Sequence, residues 1–353
     1  MEKAVTIYDV AKAAGVAPST VSRAFSRPGR LNAATAERIL RVGAALGYQR
    51  GGAGRDGAGS AAGAAGAADM AGAPGGGPGR PAAHMIALIV PDITNPFYFE
   101  IIRGAERAAS EAGFTLVLSD TQESRRLERD ALERTSSVVA GLLLTSTRMD
   151  DSEIVAVSRR TPLVVLNREV DGVPSVVTDN RAGARQAVEH LVDLGHTSVT
   201  YVAGPEASWA DRQRWTAAQQ ACLERGVSVR RVGPFAPTVD AGRYAAQAVL
   251  GHPGSAVLCY NDQLAIGLIR GLGLLGARVP DDVSIIGFDN TLVADLVTPG
   301  ITTVAAPLDS LGATGVNGLI GLVTGRRRPD PLVVLPSMLV VRGSTAAAVL
   351  YRP

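Results

Sequence analysis

Hydrophobic positions along this 353-residue chain change their rhythm twice. Over residues 1–48 they recur every three or four positions. In TIYDVAKAAG, Ile7, Val10, Ala11 and Ala14 fall on one helix face. Thr6 with Asp9 three residues on reads as a capping-box start, and Gly15 as a stop. A second helix follows, with Pro18 in its first turn and Val21, Ala24 and Phe25 pointing inward. Asn32 caps a third, whose stripe is Ile39, Val42, Gly43 and Leu46. From His84 onward, short continuous apolar runs such as MIALIV, GLLLTS, PLVVLN, AVLCYN and VSIIGFDN alternate with helical segments. About ten such runs predict parallel strands covered on both faces, too many for one modest sheet, so two α/β lobes are expected. Between the two regions, residues 49–81 are almost entirely Gly and Ala and carry no periodicity.

Charge sharpens this division. Residues 1–50 hold eight basic side chains against Glu2, Asp9 and Glu37, whereas the whole chain carries only +2. A basic head on a slightly acidic body points to an anionic partner for the head, nucleic acid first. Cys222 and Cys259 are the only cysteines and have no CxxC or Cys/His neighbourhood, which predicts two buried thiols and no metal. The N-terminus MEKAVTIYDV has no apolar leader, and the Ala/Gly tract is interrupted by Arg55, Asp56 and Asp69, so a cytoplasmic protein without a membrane span is expected.

Two short helices joined by a Gly-containing turn, closed by a third, describe a helix-turn-helix unit. Its second helix would enter the major groove and offer Pro18, Ser19, Thr20, Ser22 and Arg23, with Arg23 able to bind guanine in bidentate fashion. On pattern alone, the alternative is a small three-helix bundle that docks another protein. In the body, polar residues gather at strand ends: Asp92 and Asn95, Asp120, Asn167 and Arg168, Asp179 and Asn180, Asn261 and Asp262, Asp289 and Asn290. Each alone suits a cap or turn; their repetition favours a polar cleft, because open α/β sheets bind ligands beyond the carboxyl ends of their strands. Gly271, Gly273 and Gly276 spell GxGxxG, but at the end of a helix rather than between strand and helix, so they read as packing glycines. No Ser-His-Asp, paired-carboxylate or metal-ligand constellation is present, and neither an enzyme nor a cofactor is expected.

VTIYDVAKAAGVAPSTVSRAFSRPGRLNAATAERILRVGAALGY, residues 5–48, closely resembles without gaps the DNA-binding head of the lactose/galactose-repressor (LacI/GalR) family. It departs at Ala17, where the family usually has Ser; a helix start without a side-chain oxygen costs about 1 kcal/mol. VPDITNPFYFEII, TDNRAGARQAVEHLVDLGHTSVTYVAGP, CYNDQLAIGLIRGLGLLGARVPDDVSIIGFDN and ITTVAAPLDSLG are similar to effector-domain segments of the same family. The resemblance implies a three-helix helix-turn-helix head over residues 1–48 and a periplasmic-binding-protein-like effector domain over 84–353; the Gly/Ala composition between them reads as a flexible linker over 49–83. That domain would have parallel sheets in two lobes, the first about 84–177 and 306–336, the second about 178–305 and 337–353. It also implies DNA contacts from Thr6, Tyr8, Pro18, Ser19, Thr20, Ser22, Arg23 and Arg30, and effector contacts from Asn95, Phe97, Tyr98, Asn167, Arg214, Asn261 and Asp289; Trp209 joins the expected effector site as a flat apolar face for a sugar ring. Trp215 is a further aromatic, as well suited to core packing as to a sugar.

The expected function is that of a sequence-specific transcriptional regulator, a repressor in the family's usual mode. It would bind operator DNA as a homodimer and respond to a small effector, expected to be a sugar. The alternative is a solute-binding protein without a DNA role; the basic head and missing leader argue against it. In the family, a hinge helix after the head wedges a leucine into the minor groove. This chain has no leucine between Leu46 and Leu88, so residues 49–81 are expected to act as a flexible tether instead.

Overall fold

The computed structural model describes residues 6–18, 20, 21, 24, 32–46, 84–251, 254–326 and 329–348. They fall into two units, a head and a body, separated within the Gly/Ala tract. The linker expected over 49–83 lies outside the described residues, as do Ser19, Ser22, Arg23, Phe25 and Arg30.

In the head, helix Ile7–Ala14 starts on a reciprocal cap in which the Thr6 amide donates to Asp9 Oδ2 at 2.8 Å. It ends at Gly15, whose φ of 64° is the left-handed conformation that a Cβ disfavours. Helical backbone resumes at Pro18, and the Ala17 carbonyl accepts from the Thr20 amide at 2.8 Å, so the cap position carries no side-chain oxygen. Asn32 Oδ1 accepts from the Ala34 amide at 3.0 Å and opens helix Ala33–Ala45. Val10, Ala11, Ala14, Val21, Ala24 and Ile39 form the head's core. Leu46, expected inward, is 39% exposed because the helix ends one residue earlier and its period no longer places that side chain.

The body has two six-stranded sheets, and so twelve strands among the described residues rather than about ten. The first contains β1 (Met85–Val90), β2 (Thr115–Asp120), β3 (Gly141–Thr145), β4 (Leu163–Leu166), β5 (Ser175–Thr178) and β11 (Leu332–Leu335). Its order is β11-β5-β4-β3-β1-β2, and every pairing is parallel. The second contains β6 (Ser198–Val202), β7 (Ser228–Val232), β8 (Ala256–Cys259), β9 (Ser284–Asp289), β10 (Thr302–Ala305) and β12 (Met338–Val340), in the order β12-β10-β9-β8-β6-β7. Here only the β10–β12 pair is antiparallel. Central strands β3 and β9 are buried at every residue, as helices on both faces require. The chain passes between sheets three times, after β5, β10 and β11. Ser337 Oγ donates to the Asp179 carbonyl at 2.6 Å and holds the first and third crossings together.

In each lobe two helices cross at reciprocal glycines. Gly104 of helix Phe97–Glu111 lies on the backbone of Asp309, and Gly312 of helix Leu308–Thr324 on that of Ile101. Gly242 of helix Val239–Leu250 and Gly267 of helix Asp262–Leu274 do the same in the second lobe. Gly271, the first glycine of the GxGxxG string, continues that contact against Arg243; Gly276 takes a left-handed turn after the helix, and Gly273 faces open space. Gly267→Ala should therefore destabilise the body by about 1–3 kcal/mol, read as a fall in Tm, because the added methyl meets backbone that cannot move alone. Cys222 and Cys259 are buried and free, and burial pushes the Cys222 thiol up to about 11, away from reactivity.

Candidate functional site

A narrow polar cavity lies between the lobes, beyond the carboxyl ends of the strands. From the first lobe, the loop after β1 is folded by Asn95, whose Oδ1 accepts from the Phe97 amide at 3.1 Å. Phe97 and Tyr98 open the next helix with their rings edge to face, centroids 5.0 Å apart. Burial, with Glu123 nearby, pushes the Tyr98 phenol well above its ordinary range, so it stays protonated. Ser146 and Asn167 follow β3 and β4 with φ of 49° and 58°, a left-handed geometry that non-glycine residues adopt only where surroundings hold them. Asn167 Nδ2 donates to Ser146 Oγ at 2.9 Å, while its buried Oδ1 has no protein partner. Across the floor, Arg148 donates to Glu123 through Nε at 3.1 Å and NH2 at 3.5 Å, and to the Ser146 carbonyl at 3.1 Å.

The second lobe contributes Arg214, Pro237, Tyr260, Asn261 and Asp289. Arg214 is 2% exposed. Its Nε donates to Asn180 Oδ1 at 2.7 Å, its NH1 to the Tyr260 carbonyl, and its NH2 to Asp289 Oδ1 at 3.0 Å. The guanidinium also lies 3.7 Å from the centroid of the Phe288 ring. Asp289 ends β9 with φ of 103°. Burial pushes its carboxyl up to about 7, with Asp262 adding to the rise and Arg214 opposing it. Asn261 caps helix Asp262–Leu274 by accepting from the Leu264 amide at 3.0 Å, which leaves its Nδ2 toward the cavity without a protein acceptor.

Asp262, one residue on, turns away from the cavity. It accepts from Thr303 Oγ1 at 2.6 Å on β10, and from the Thr291 amide and hydroxyl at 2.7 and 2.9 Å. It thus ties the turn presenting Asp289 to a strand that leads into a lobe crossing. Burial pushes Asp262 up to about 6 against these hydrogen bonds. A carboxyl whose folded pKa exceeds its unfolded one contributes stability that is complete below the unfolded value and lost as pH rises through the folded value. The stability of wild type relative to Asp262→Asn should therefore decline between about pH 4 and about pH 7, measurable by urea unfolding across that window.

Seven of the eight residues expected at an effector site line this cavity: Asn95, Phe97, Tyr98, Asn167, Arg214, Asn261 and Asp289. Trp209 does not. Ser208 turns inward as the cap of helix Trp209–Glu224, its Oγ 3.1 Å from the Tyr260 hydroxyl. Trp209, the next residue around, faces a separate hollow beside Arg181, Gln213 and Leu332. Tyr260 is the second-lobe aromatic that lines the cavity. Trp215 packs 5.5 Å from the Tyr201 ring, against the core. Glu123, Ser146, Arg148, Pro237 and Tyr260 also line the cavity and are not among the residues the sequence singles out, although Glu123, Ser146, Arg148 and Tyr260 stand within three residues of a strand end. In the head, Tyr8 is 70% exposed, Pro18 and Thr20 are half-buried, and exposed Thr6 is engaged with Asp9. Among the described residues no group of three or more His, Cys, Asp or Glu side chains could hold a metal, and no helix is long and apolar enough to cross a membrane.

Residues 6–51 match the family of bacterial regulatory proteins of the lacI type, and residues 188–345 match a periplasmic binding protein-like domain. The chain is 32% identical to the HTH-type transcriptional regulator DegA of Bacillus subtilis (strain 168), over 97% of this chain and 98% of that one. Its fold is similar to a crystal structure of a LacI family transcriptional regulator from Enterococcus faecalis V583 with bound ribose. That likeness has a TM-score of 0.68 at 30% identity and covers 75% of this chain and 100% of that one. It is similar also to the lac repressor dimer bound to operator and the anti-inducer ONPF, with a TM-score of 0.69 at 25% identity, over 98% and 100% of the two chains.

Proposed function

From the premise that this chain belongs to the LacI family of DNA-binding transcriptional regulators, we propose that its affinity for an operator is set by a small sugar held in the inter-lobe cavity. The observation that carries the reading is the cavity's construction. Two lobes joined by three crossings place aromatic faces, amides and a carboxylate–guanidinium pair around one small space, the chemistry that polyhydroxyl ligands require. The ribose-bound relative supports the same ligand class.

The mechanism is linkage. A ligand touching both lobes favours the arrangement in which Asn95, Tyr98 and Asn167 stand closest to Asn261 and Asp289. Any difference in operator affinity between the two arrangements is then passed on as a coupling free energy. The chain acts as a homodimer, so that two heads read a two-fold operator. Exposed Leu274 and Leu296 on the second lobe border two hollows that share Arg270, and this apolar surface suits a second copy. Because its relatives are regulators and not enzymes, we assign the cavity a binding role without turnover.

The test is a gel shift with the promoter region of the chain's own gene, repeated with each sugar that raises the protein's Tm. A retarded, sequence-specific band whose midpoint moves at least threefold with one such sugar is the expected result. Equal retardation of promoter and random DNA, or a midpoint no stabilising sugar moves, would overturn the proposal.

A further inference from the structure

Two arginines border the cavity, an arrangement that ordinarily marks a site for phosphate or carboxylate. Here each is already answered by the protein. Glu123 receives Arg148 through two nitrogens, and Asp289 receives Arg214. The Arg148 and Arg214 side chains are 9% and 2% exposed, so neither guanidinium is bathed in screening solvent.

The helix ends at the cavity are closed to anions as well. The Phe97 amide is taken by Asn95 Oδ1 and the Leu264 amide by Asn261 Oδ1, donors that would otherwise attract an anion. The polar atoms still uncommitted are the buried Oδ1 of Asn167, the second carboxylate oxygen of Asp289, and the Nδ2 atoms of Asn95 and Asn261. Two accept and two donate, none of them a cation, which is the complement of hydroxyl groups.

We propose that the cavity selects an uncharged polyhydroxyl ligand and excludes phosphorylated or acidic sugars, with Glu123 and Asp289 as the residues that set this selectivity. The proposal rests on the sugar reading above and narrows it. An anion entering the cavity would meet two carboxylates and no unmatched cation, and desolvating it there would have no compensation. A neutral sugar leaves both ion pairs intact, and its hydroxyls supply the partner that Asn167 Oδ1 lacks. Glu123 itself stands at φ 56°, next to Gln122 at 50°, a strained turn held by its contact with Arg148.

The experiment titrates the full-length protein calorimetrically with ribose, glucose and galactose, and with ribose 5-phosphate, glucose 6-phosphate and galactose 6-phosphate. Wild type should bind at least one neutral sugar, and its phosphate at least about tenfold more weakly. Glu123→Gln preserves shape while freeing the charge of Arg148, so it should narrow that gap; a gap caused by size alone would not move. A phosphate bound by wild type as tightly as its parent sugar would overturn the inference, as would a gap unchanged in folded Glu123→Gln. If that variant does not fold, the wild-type ratio decides alone. Binding of none of the six probes would overturn the sugar reading, and this inference with it.

Discussion

Arg214→Ala is expected to destabilise the two-lobed body by about 3–5 kcal/mol, the cost of breaking a buried ion pair from one side. Arg214 is the largest of the fully buried side chains. Its removal leaves Asn180 Oδ1 and the Tyr260 carbonyl without their donor, and Asp289 buried without its counter-ion. Without Arg214, nothing opposes the burial that already pushes Asp289 up to about 7, so that side chain should titrate higher still. The double variant Arg214→Met/Asp289→Leu should be closer to wild type than Arg214→Ala, because it leaves no lone charge. Urea unfolding of the three proteins at one pH tests the ordering. A single variant within about 1 kcal/mol of wild type would mean that the guanidinium does not organise this lobe.

What could be read from the sequence was local. The Thr6–Asp9 cap, the Gly15 stop and the Asn32 cap each lie within three residues of the helix they bound, and all three are formed. Buried central strands announce themselves as apolar runs, as in GLLLT of β3 and SIIGFD of β9. Edge strands do not. β7 is SVRRV, two of whose five residues are arginines, and β11 is LVVL with alternate residues exposed. The cavity residues at strand ends were legible because topology sends every parallel strand end to the same side. Pairings across loops were not: Arg148 and Glu123 are 25 residues apart and share no local pattern. Trp209 faces the neighbouring hollow for a related reason. Which residue of a helix start faces a cavity depends on the cap, and Ser208 occupies that inward position.

Asp289→Asn should uncouple effector from operator while preserving the fold. Asparagine retains an oxygen for Arg214 NH2 at Asp289's position, so the 3.0 Å contact keeps a partner and the shape of the turn is unchanged. Removed are the negative charge and the second acceptor oxygen, which the ion pair leaves for a ligand hydroxyl. A hydrogen bond to a charged group is worth about 1.5–3 kcal/mol, so the effector concentration for a half-maximal response should rise by about 10- to 150-fold. Operator affinity without effector should stay within about twofold of wild type, because reciprocity confines the loss to the coupled state. Gel-shift titrations with the stabilising sugar, on both proteins, measure the two numbers together. A variant that responds at the wild-type concentration would remove Asp289 from the effector site. One that loses operator affinity without effector would show instead that the buried pair helps set the resting arrangement of the lobes.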